Sequence, residues 1–403
     1  MIHRPYYLDA IKRVRDAEKL VKVVTGVRRC GKSTLLDLYR DHLLGDGVSA
    51  QSIGWWNFES MVFAHIQSPE ALSDLVVNHT WPPGKRYVFL DEVQLVPGWE
   101  RAVNSLRLDP RNDVYITGSN GRLLDSELAS LLSGRYFPIE VYPLSFKEFC
   151  QFSGKPAGSE ALFNDYLRTG GLPGQFDLRD DARVRAQYID AVLNTIITKD
   201  IVGLQEVRDV ASLLKVVRYL SDNIGNLVTA KGIADYLGST GNRISGVTVD
   251  NYLTLLTQAY LFYRVKREDL KGKAVMKTND KFMVVDLGFR AVTHGLGTPD
   301  LGRLLENVVF FELRRRYSTV SLGKYGAEAV DFVTFDPARG TAYFQVTASM
   351  TSPETQEREL RPLKALRDSH PKTVLSLDQV RTRDYDGIRH ENIIDWLLDP
   401  PPA

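Results

Sequence analysis

The run Gly26-Val27-Arg28-Arg29-Cys30-Gly31-Lys32-Ser33, followed by Thr34, is the stretch of this 403-residue chain whose types and spacing specify chemistry most directly. It fits G-x-x-x-x-G-K-[ST] and lies between an apolar stretch, Val21 to Thr25, and a helical one, Ser33 to Leu44. Glycines let the backbone curl so that successive N–H groups face one anion. The N-terminus of the following helix adds partial positive charge. Lys32 is expected to reach the β- and γ-phosphates of a nucleotide, and the Ser33 hydroxyl to ligate Mg2+. Gly26, Arg28, Arg29, Cys30, Gly31 and Thr34 complete the candidate phosphate-binding set. About 60 residues further on, Tyr87-Val88-Phe89-Leu90 ends in two adjacent acids, Asp91 and Glu92. Asp91 would hold the Mg2+ shell, and Glu92 would act as general base on the attacking water.

Such residues must be carried by strands that end along one edge. The pattern from Leu20 to about Leu144 is strand, helix, strand, helix, strand, with apolar strands at Val21 to Thr25, Ile53 to Phe58, Tyr87 to Leu90, Val114 to Thr117 and Tyr136 to Val141. Continuous apolar runs separated by helices predict a parallel sheet with crossover helices. In such a sheet the strand C-termini share one edge. Ser119 or Asn120, after the fourth strand, would then lie near the γ-phosphate and orient the water. Arg135, in Ser133-Gly134-Arg135 before the fifth strand, is a candidate arginine finger, in cis or offered to a neighbouring subunit. Residues 1 to 20 read as a charged amphipathic helix leading into the first strand.

The set Gly26 to Ser33, Asn57-Phe58-Glu59, Leu90 to Gln94, Thr117 to Asn120, Ser133 to Arg135 and Pro143 to Phe146 resembles the AAA-type ATPases of bacteria and archaea. It is closest to the branch that carries a C-terminal domain of unknown function. Gly170-Gly171-Leu172-Pro173 is similar to that branch's lid motif. The resemblance implies an α/β fold: a P-loop AAA-type parallel sheet with a helical lid over residues 1–205. It implies ATP and Mg2+ as ligands, Ser119 as sensor and Arg135 as finger. ATP rather than GTP follows from the resemblance, and no Asn-Lys-x-Asp guanine-reading motif is present.

Residues 206–270 have a helix-turn-helix rhythm that resembles a winged-helix domain. Val228 to Gly238 reads as the leading helix, with a glycine stop. Val247 to Gln258 reads as the recognition helix, and a hairpin is expected from Leu261 to about Val275. Arg243, Lys266, Arg267, Lys271 and Lys273 are candidates for phosphate contact with DNA. The recognition helix carries Asp250 and no Lys or Arg, which argues against base reading by it. Residues 271–403 resemble a restriction-endonuclease-like α/β domain that has lost its chemistry. Such a site needs Asp, then Glu-x-Lys, to hold a metal and activate water. Glu306 and Asp331 are present, but Gln345-Val346-Thr347 stands where the acid and the cation belong. Nuclease activity is therefore not expected. Arg314-Arg315-Arg316 reads as either a phosphate contact or a solvated helix end.

Composition bounds the function classes. Hydrophobic residues are 43% and charged residues 25%, which excludes a disordered chain. Lys plus Arg is 51 against 50 for Asp plus Glu, a net charge of +1. A globally basic nucleic-acid coat protein is excluded, a local basic face is not. Two cysteines, Cys30 and Cys150, give no disulfide framework and fit a reducing compartment. No apolar run approaches a membrane span, and the start lacks a secretory pattern, so a cytoplasmic protein is expected. Residues 399–403, Asp-Pro-Pro-Pro-Ala, read as a frayed end. The combined expectation is an ATP hydrolase working on duplex or branched DNA as a self-associating assembly, a hexamer being one form. The alternative is an ATP-gated signalling switch acting on protein partners.

Overall fold

The computed structural model describes residues 4–17, 19–119, 121–124, 132, 134–178, 181–203, 207–272, 274–275, 279–294, 300–379 and 382–399. Asn120, Ser133, Lys273 and the 400–403 end fall outside the described residues. The chain forms two compact units: residues 1–143 with 258–260, and residues 144–257 with 261–403. The helices after Leu144, grouped with the ATPase core in the sequence reading, fall in the second unit.

The first unit is built on β1 (Val21–Thr25), β2 (Ile53–Asn57), β3 (Arg86–Asp91), β4 (Asn112–Gly118) and β5 (Tyr136–Glu140). All pairings are parallel, in the order β2-β3-β4-β1-β5. The crossovers are helical: α2 (Lys32–Gly45), α3 (Pro69–Val77) and α4 (Trp99–Leu106), after an N-terminal α1 (Pro5–Arg13). Helix α1 is shorter than the expected span, starting on Pro5 in the first turn and ending with Lys12 and Arg13. β1, β3 and β4 are buried almost end to end, which is why their sequences are continuously apolar rather than alternating. Leu72, Val76, Val88, Leu90, Val103 and Ile116 lead a single core under this sheet. Lys22 interrupts the apolar run of β1, and its ammonium is paired with Asp113 of β4 inside the sheet. Burial lowers the Lys22 pKa against the pull of Asp113.

The second unit opens with α5 (Phe146–Ser153), α6 (Glu160–Thr169) and α7 (Ala182–Thr195). Between α6 and α7 the Gly170-Gly171 turn is fixed by a buried carboxylate. Asp286 accepts the Gly171 N–H at 2.7 Å and the Gly288 N–H at 2.8 Å. Gly170 has φ +70°, and a Cβ there would lie 1.7 Å from Asp286 Oδ1, so only glycine fits.

Next come α8 (Val210–Asp222), β6 (Leu227–Val228), α9 (Ala230–Ser239), α10 (Gly246–Gln258), β7 (Phe262–Val265), β8 (Arg267–Asp269), β9 (Ala274–Val275) and β10 (Asp280–Val284). β6, β10 and β7 form one small antiparallel sheet in that order. The expected hairpin ending near Val275 is replaced: β7 pairs with β10, Tyr263 opposite Met283. The residues between them cross to another sheet, where β8 runs parallel to β11 (Thr319–Tyr325).

That second sheet has eight strands in the order β15-β16-β14-β13-β12-β11-β8-β9. After α11 (Leu287–His294) and α12 (Leu301–Arg316), strands β11 (Thr319–Tyr325), β12 (Glu328–Asp336) and β13 (Gly340–Val346) form an antiparallel meander. Helix α13 (Pro353–Ala365) then crosses to β14 (Lys372–Ser376), parallel to β13. β15 (Thr382–Tyr385), β16 (Ile388–Asn392) and α14 (Ile393–Leu398) close the chain. Among the described residues no helix is long and apolar enough to cross a membrane.

Candidate nucleotide site and a buried charge cluster

Residues 26 to 33 join the C-terminal end of β1 to α2. Gly26, Arg29 and Gly31 all have positive φ, +140°, +66° and +99°. Positive φ at these positions is the backbone geometry that lets a loop curl around an anion. Gly26 allows no side chain, because a Cβ would lie 2.1 Å from the Val141 carbonyl oxygen. The Lys32 ammonium lies inside the curl, donating to the carbonyls of Gly26 at 3.0 Å and Val27 at 3.2 Å. Thr34 continues the first turn of α2.

Two features brace the loop from behind. Arg4, buried at the start of α1, donates to the Cys30 carbonyl at 3.0 Å and to the Tyr142 carbonyl at 2.9 Å. Its guanidinium packs over the Tyr7 ring at 4.5 Å, and the Tyr7 hydroxyl accepts the Tyr142 N–H. Cys30 is itself fully buried, and burial raises its thiol pKa. The thiol therefore stays protonated and packs as a small apolar group.

Across the sheet edge, Asp91 ends β3. Its Oδ1 accepts the Ser33 hydroxyl at 3.0 Å and the Thr117 hydroxyl, and its Oδ2 accepts the Asn57 amide at 3.0 Å. Ser33 and Asp91 thus present a hydroxyl and a carboxylate together, a hard-oxygen pair of the kind Mg2+ takes. Glu92 follows in a left-handed conformation, φ +53°, with its N–H on Thr117 Oγ1 at 2.9 Å and its carboxylate held by the Gln94 amide. A left-handed glutamate at a strand tip is strained backbone, and such strain concentrates where a side chain must be aimed.

The sequence-derived residues Gly26 to Ser33, Asp91 and Glu92 are therefore brought to one sheet edge. Ser119 sits one residue past β4 and is buried. The β4 residue that touches the acids is Thr117, which sequence reasoning passed over; its place two residues before Ser119 on an alternating strand was the available signal. Asn57, in register with Asp91, and Gln94 were likewise missed as contacts, although both lie in the quoted motifs.

Arg135 stands elsewhere. It precedes β5, and β5 runs parallel to β1 with Val21 opposite Tyr136. The phosphate loop leaves the other end of β1, beside Val141. Six residues of extended chain put Arg135 roughly 20 Å along the strand from the loop. The cis role is thereby corrected: Arg135 is exposed at the base of the sheet, opposite its own phosphate loop.

In the second unit Glu306 on α12, Asp331 on β12 and Gln345 on β13 also converge. Two unforeseen residues join them. Lys281 on β10 donates to Glu306 Oε2 at 2.7 Å and lies 3.9 Å from Asp331 Oδ1. Glu359 on α13 accepts the Gln345 amide at 3.0 Å. Burial, then repulsion from Glu306, pushes the Asp331 carboxyl up to about 7. Burial also raises Glu306, against the attraction of Lys281. Burial works against the Lys281 ammonium, but its two acids outweigh it and hold its pKa above the ordinary lysine value. Thr347 turns its hydroxyl toward the Ser349 carbonyl instead. Among the described residues no group of three or more His, Cys, Asp or Glu is placed to hold a metal ion.

Of the candidate DNA contacts, Arg243 and Lys266 are exposed, Arg267 is half-buried on β8, and Lys271 lies over the Tyr325 ring at 5.3 Å. Arg316 is neither a phosphate contact nor a solvated end. It is buried, donating to Glu312 and to the Trp396 carbonyl.

Comparison with known proteins agrees with the geometry of the first unit. The AAA domain profile matches residues 6–150, and a domain of unknown function, DUF8612, matches residues 160–300. An uncharacterized protein of Haemophilus influenzae is 36% identical over 403 residues, covering 99% of each chain. An uncharacterized protein of Methanocaldococcus jannaschii is 29% identical over 380 residues, 90% of this chain and 81% of that one. Among solved structures, the Walker-type ATPase of Pyrococcus abyssi aligns with TM-score 0.50 at 15% identity, over 73% of this chain and 96% of its own.

Proposed function

This chain belongs to the same family as its full-length Haemophilus influenzae relative and is a P-loop ATPase of the AAA type, and from that premise we propose that it is a Mg2+-dependent ATP hydrolase whose turnover is coupled to DNA. The observation that carries the hydrolase reading is the 3.0 Å contact from the Ser33 hydroxyl to Asp91, with Glu92 next in the chain. Ser33 and Asp91 would hold the cation, which would supply positive charge to neutralise the phosphates. Lys32 and the N–H groups of residues 26 to 33 bind and orient the phosphates. Glu92 takes a proton from the attacking water as its oxygen bonds to the γ-phosphorus and the bond to the β-phosphate oxygen breaks. Thr117 and Gln94 hold Glu92 for that step.

Arg135 acts in trans in this reading, at the nucleotide of a neighbouring copy, which makes the working form an oligomer. DNA is the proposed partner because β6, α9, α10, β7 and β10 follow α8 in the order of a winged helix. Helix α12, the β11–β13 meander, α13 and β14 support the likeness to restriction-endonuclease-like domains. Nuclease chemistry is not proposed. Gln345 and Thr347 replace the needed acid and cation, and the Lys281 ammonium already serves the Glu306 and Asp331 carboxylates.

The test is ATP turnover with and without duplex and four-way-junction DNA. Lys32→Ala should abolish nucleotide binding, and Glu92→Gln should bind ATP without turning it over. Turnover indifferent to every DNA form, with no DNA binding at low salt, would remove the coupling. One observation favours a second reading, an ATP-gated switch on protein partners: α10 carries no Lys or Arg after Gly246. That reading predicts slow turnover and a change of oligomeric size between ADP and ATP, read by light scattering.

A further inference from the structure

The proposed function leaves unexplained an anion placed against an anion-binding loop. Arg28, the third residue of the phosphate loop, donates to Glu59 Oε1 at 3.1 Å. Glu59 lies two residues past the end of β2, and its placement is not accidental. Its N–H is held by Asn57 Oδ1 at 2.8 Å, while the amide nitrogen of that same Asn57 donates to Asp91 at 3.0 Å. One tripeptide, Asn57-Phe58-Glu59, thus touches both halves of the nucleotide site: the cation-binding acid through Asn57 and the phosphate loop through Glu59.

The pair is exchangeable. The Glu59 side chain is 50% exposed and that of Arg28 16%, so water screens their attraction. The planar fork of a guanidinium fits two phosphate oxygens as well as it fits a carboxylate. A terminal phosphate carries more charge than a carboxylate and attracts Arg28 more strongly. Glu59 stays behind when Arg28 changes partner, because its backbone is tied to Asn57.

We propose that Glu59 is a specificity-determining residue of this site: its carboxylate competes with the nucleotide's terminal phosphate for Arg28, so the site reads triphosphate against diphosphate at that position. The inference rests on residues 26 to 33 being an ATP site. It makes Glu59 a residue that weakens triphosphate binding by design, and it makes Arg28 the group through which the weakening acts.

The experiment is titration calorimetry of the full chain with adenylyl imidodiphosphate and with ADP, both with Mg2+. Four variants are compared: Glu59→Gln, Arg28→Ala, the double variant, and Lys32→Ala. Glu59→Gln should tighten the triphosphate analogue about two- to fivefold, the upper range of a screened ion pair, and ADP by less than about 1.5-fold. Arg28→Ala should weaken the analogue selectively, and adding Glu59→Gln to it should restore nothing. An equal shift for both nucleotides, no shift at all, or a tightening that persists without Arg28 would each overturn the proposal. Lys32→Ala separates the two levels. If it abolishes binding while Glu59→Gln does nothing, only the role of Glu59 falls. If the parent chain binds neither nucleotide, the ATP site falls with it.

Discussion

Replacing Arg4 with methionine should loosen the nucleotide site from a distance. The guanidinium donates to the carbonyls of Cys30 and Tyr142, so it ties the phosphate loop to the chain just beyond β5. Bonds from a charged donor contribute about 1.5 to 3 kcal/mol each, roughly 3 to 6 kcal/mol for the two. Methionine keeps the apolar contact with Tyr7 and no longer holds a charge out of water, which offsets part of that loss. A net destabilisation of about 2 to 4 kcal/mol remains, since two buried carbonyls lose their donor. For a cooperative unit of this size that lowers Tm by roughly 5 to 12 °C. Arg4→Lys should fall between parent and Arg4→Met, because an ammonium cannot span two carbonyls as the planar fork does. The assay is thermal unfolding followed by tryptophan fluorescence, together with nucleotide titration. All five tryptophans but one lie in the first unit, so the signal reports mainly on it. A Tm within about 1 °C of the parent and an unchanged nucleotide affinity would refute the reasoning.

Three further outcomes follow from the same geometry. Burial raises the Asp286 carboxyl to about 6, above its unfolded value, so the folded state holds the proton more tightly. Stability of the second unit should therefore fall by about 3 kcal/mol as pH rises from about 3 to about 7, and denaturant melts of Asp286→Asn should lack that slope. Lys281→Met leaves Glu306 and Asp331 without their cation and should cost about 3 to 5 kcal/mol at neutral pH. Adding Glu306→Gln should recover much of it in urea melts. Gly26→Ala drives a Cβ into the Val141 carbonyl and should abolish nucleotide binding, scored by calorimetry, while circular dichroism retains the helical signal.

β1, β3 and β4 were legible because a strand buried on both faces has little choice but to be apolar throughout. Their ends locate the phosphate loop and Asp91-Glu92 by connectivity alone. What the sequence concealed is contact between residues distant in the chain. Arg4 and Cys30 are 26 positions apart, and Lys281 and Glu306 are 25 apart on different elements. No periodicity links such pairs. Asn57 and Thr117 were visible as polar residues closing apolar strands, but only the register of neighbouring strands aims them at Asp91. The two-residue β6 is too short to leave a pattern, and β11, Thr-Val-Ser-Leu-Gly-Lys-Tyr, is interrupted by a glycine. The hairpin expected from Leu261 failed for a related reason. Strand propensity marks where extended chain forms and says nothing of which sheet receives it.

The crossing of β8 into the eight-stranded sheet governs how this protein can be divided. Arg267 pairs with Leu322, 55 positions downstream, while β7 before it and β10 after it pair with each other. Scissors placed at residue 270 would sever a seam sewn through both sheets. The upstream fragment would end in a dangling strand. The downstream fragment would bare the open N–H and C=O row of β11, a template for adhesion between molecules. The same stitch delays assembly, since β8 cannot pair with β11 until chain past residue 320 has been made.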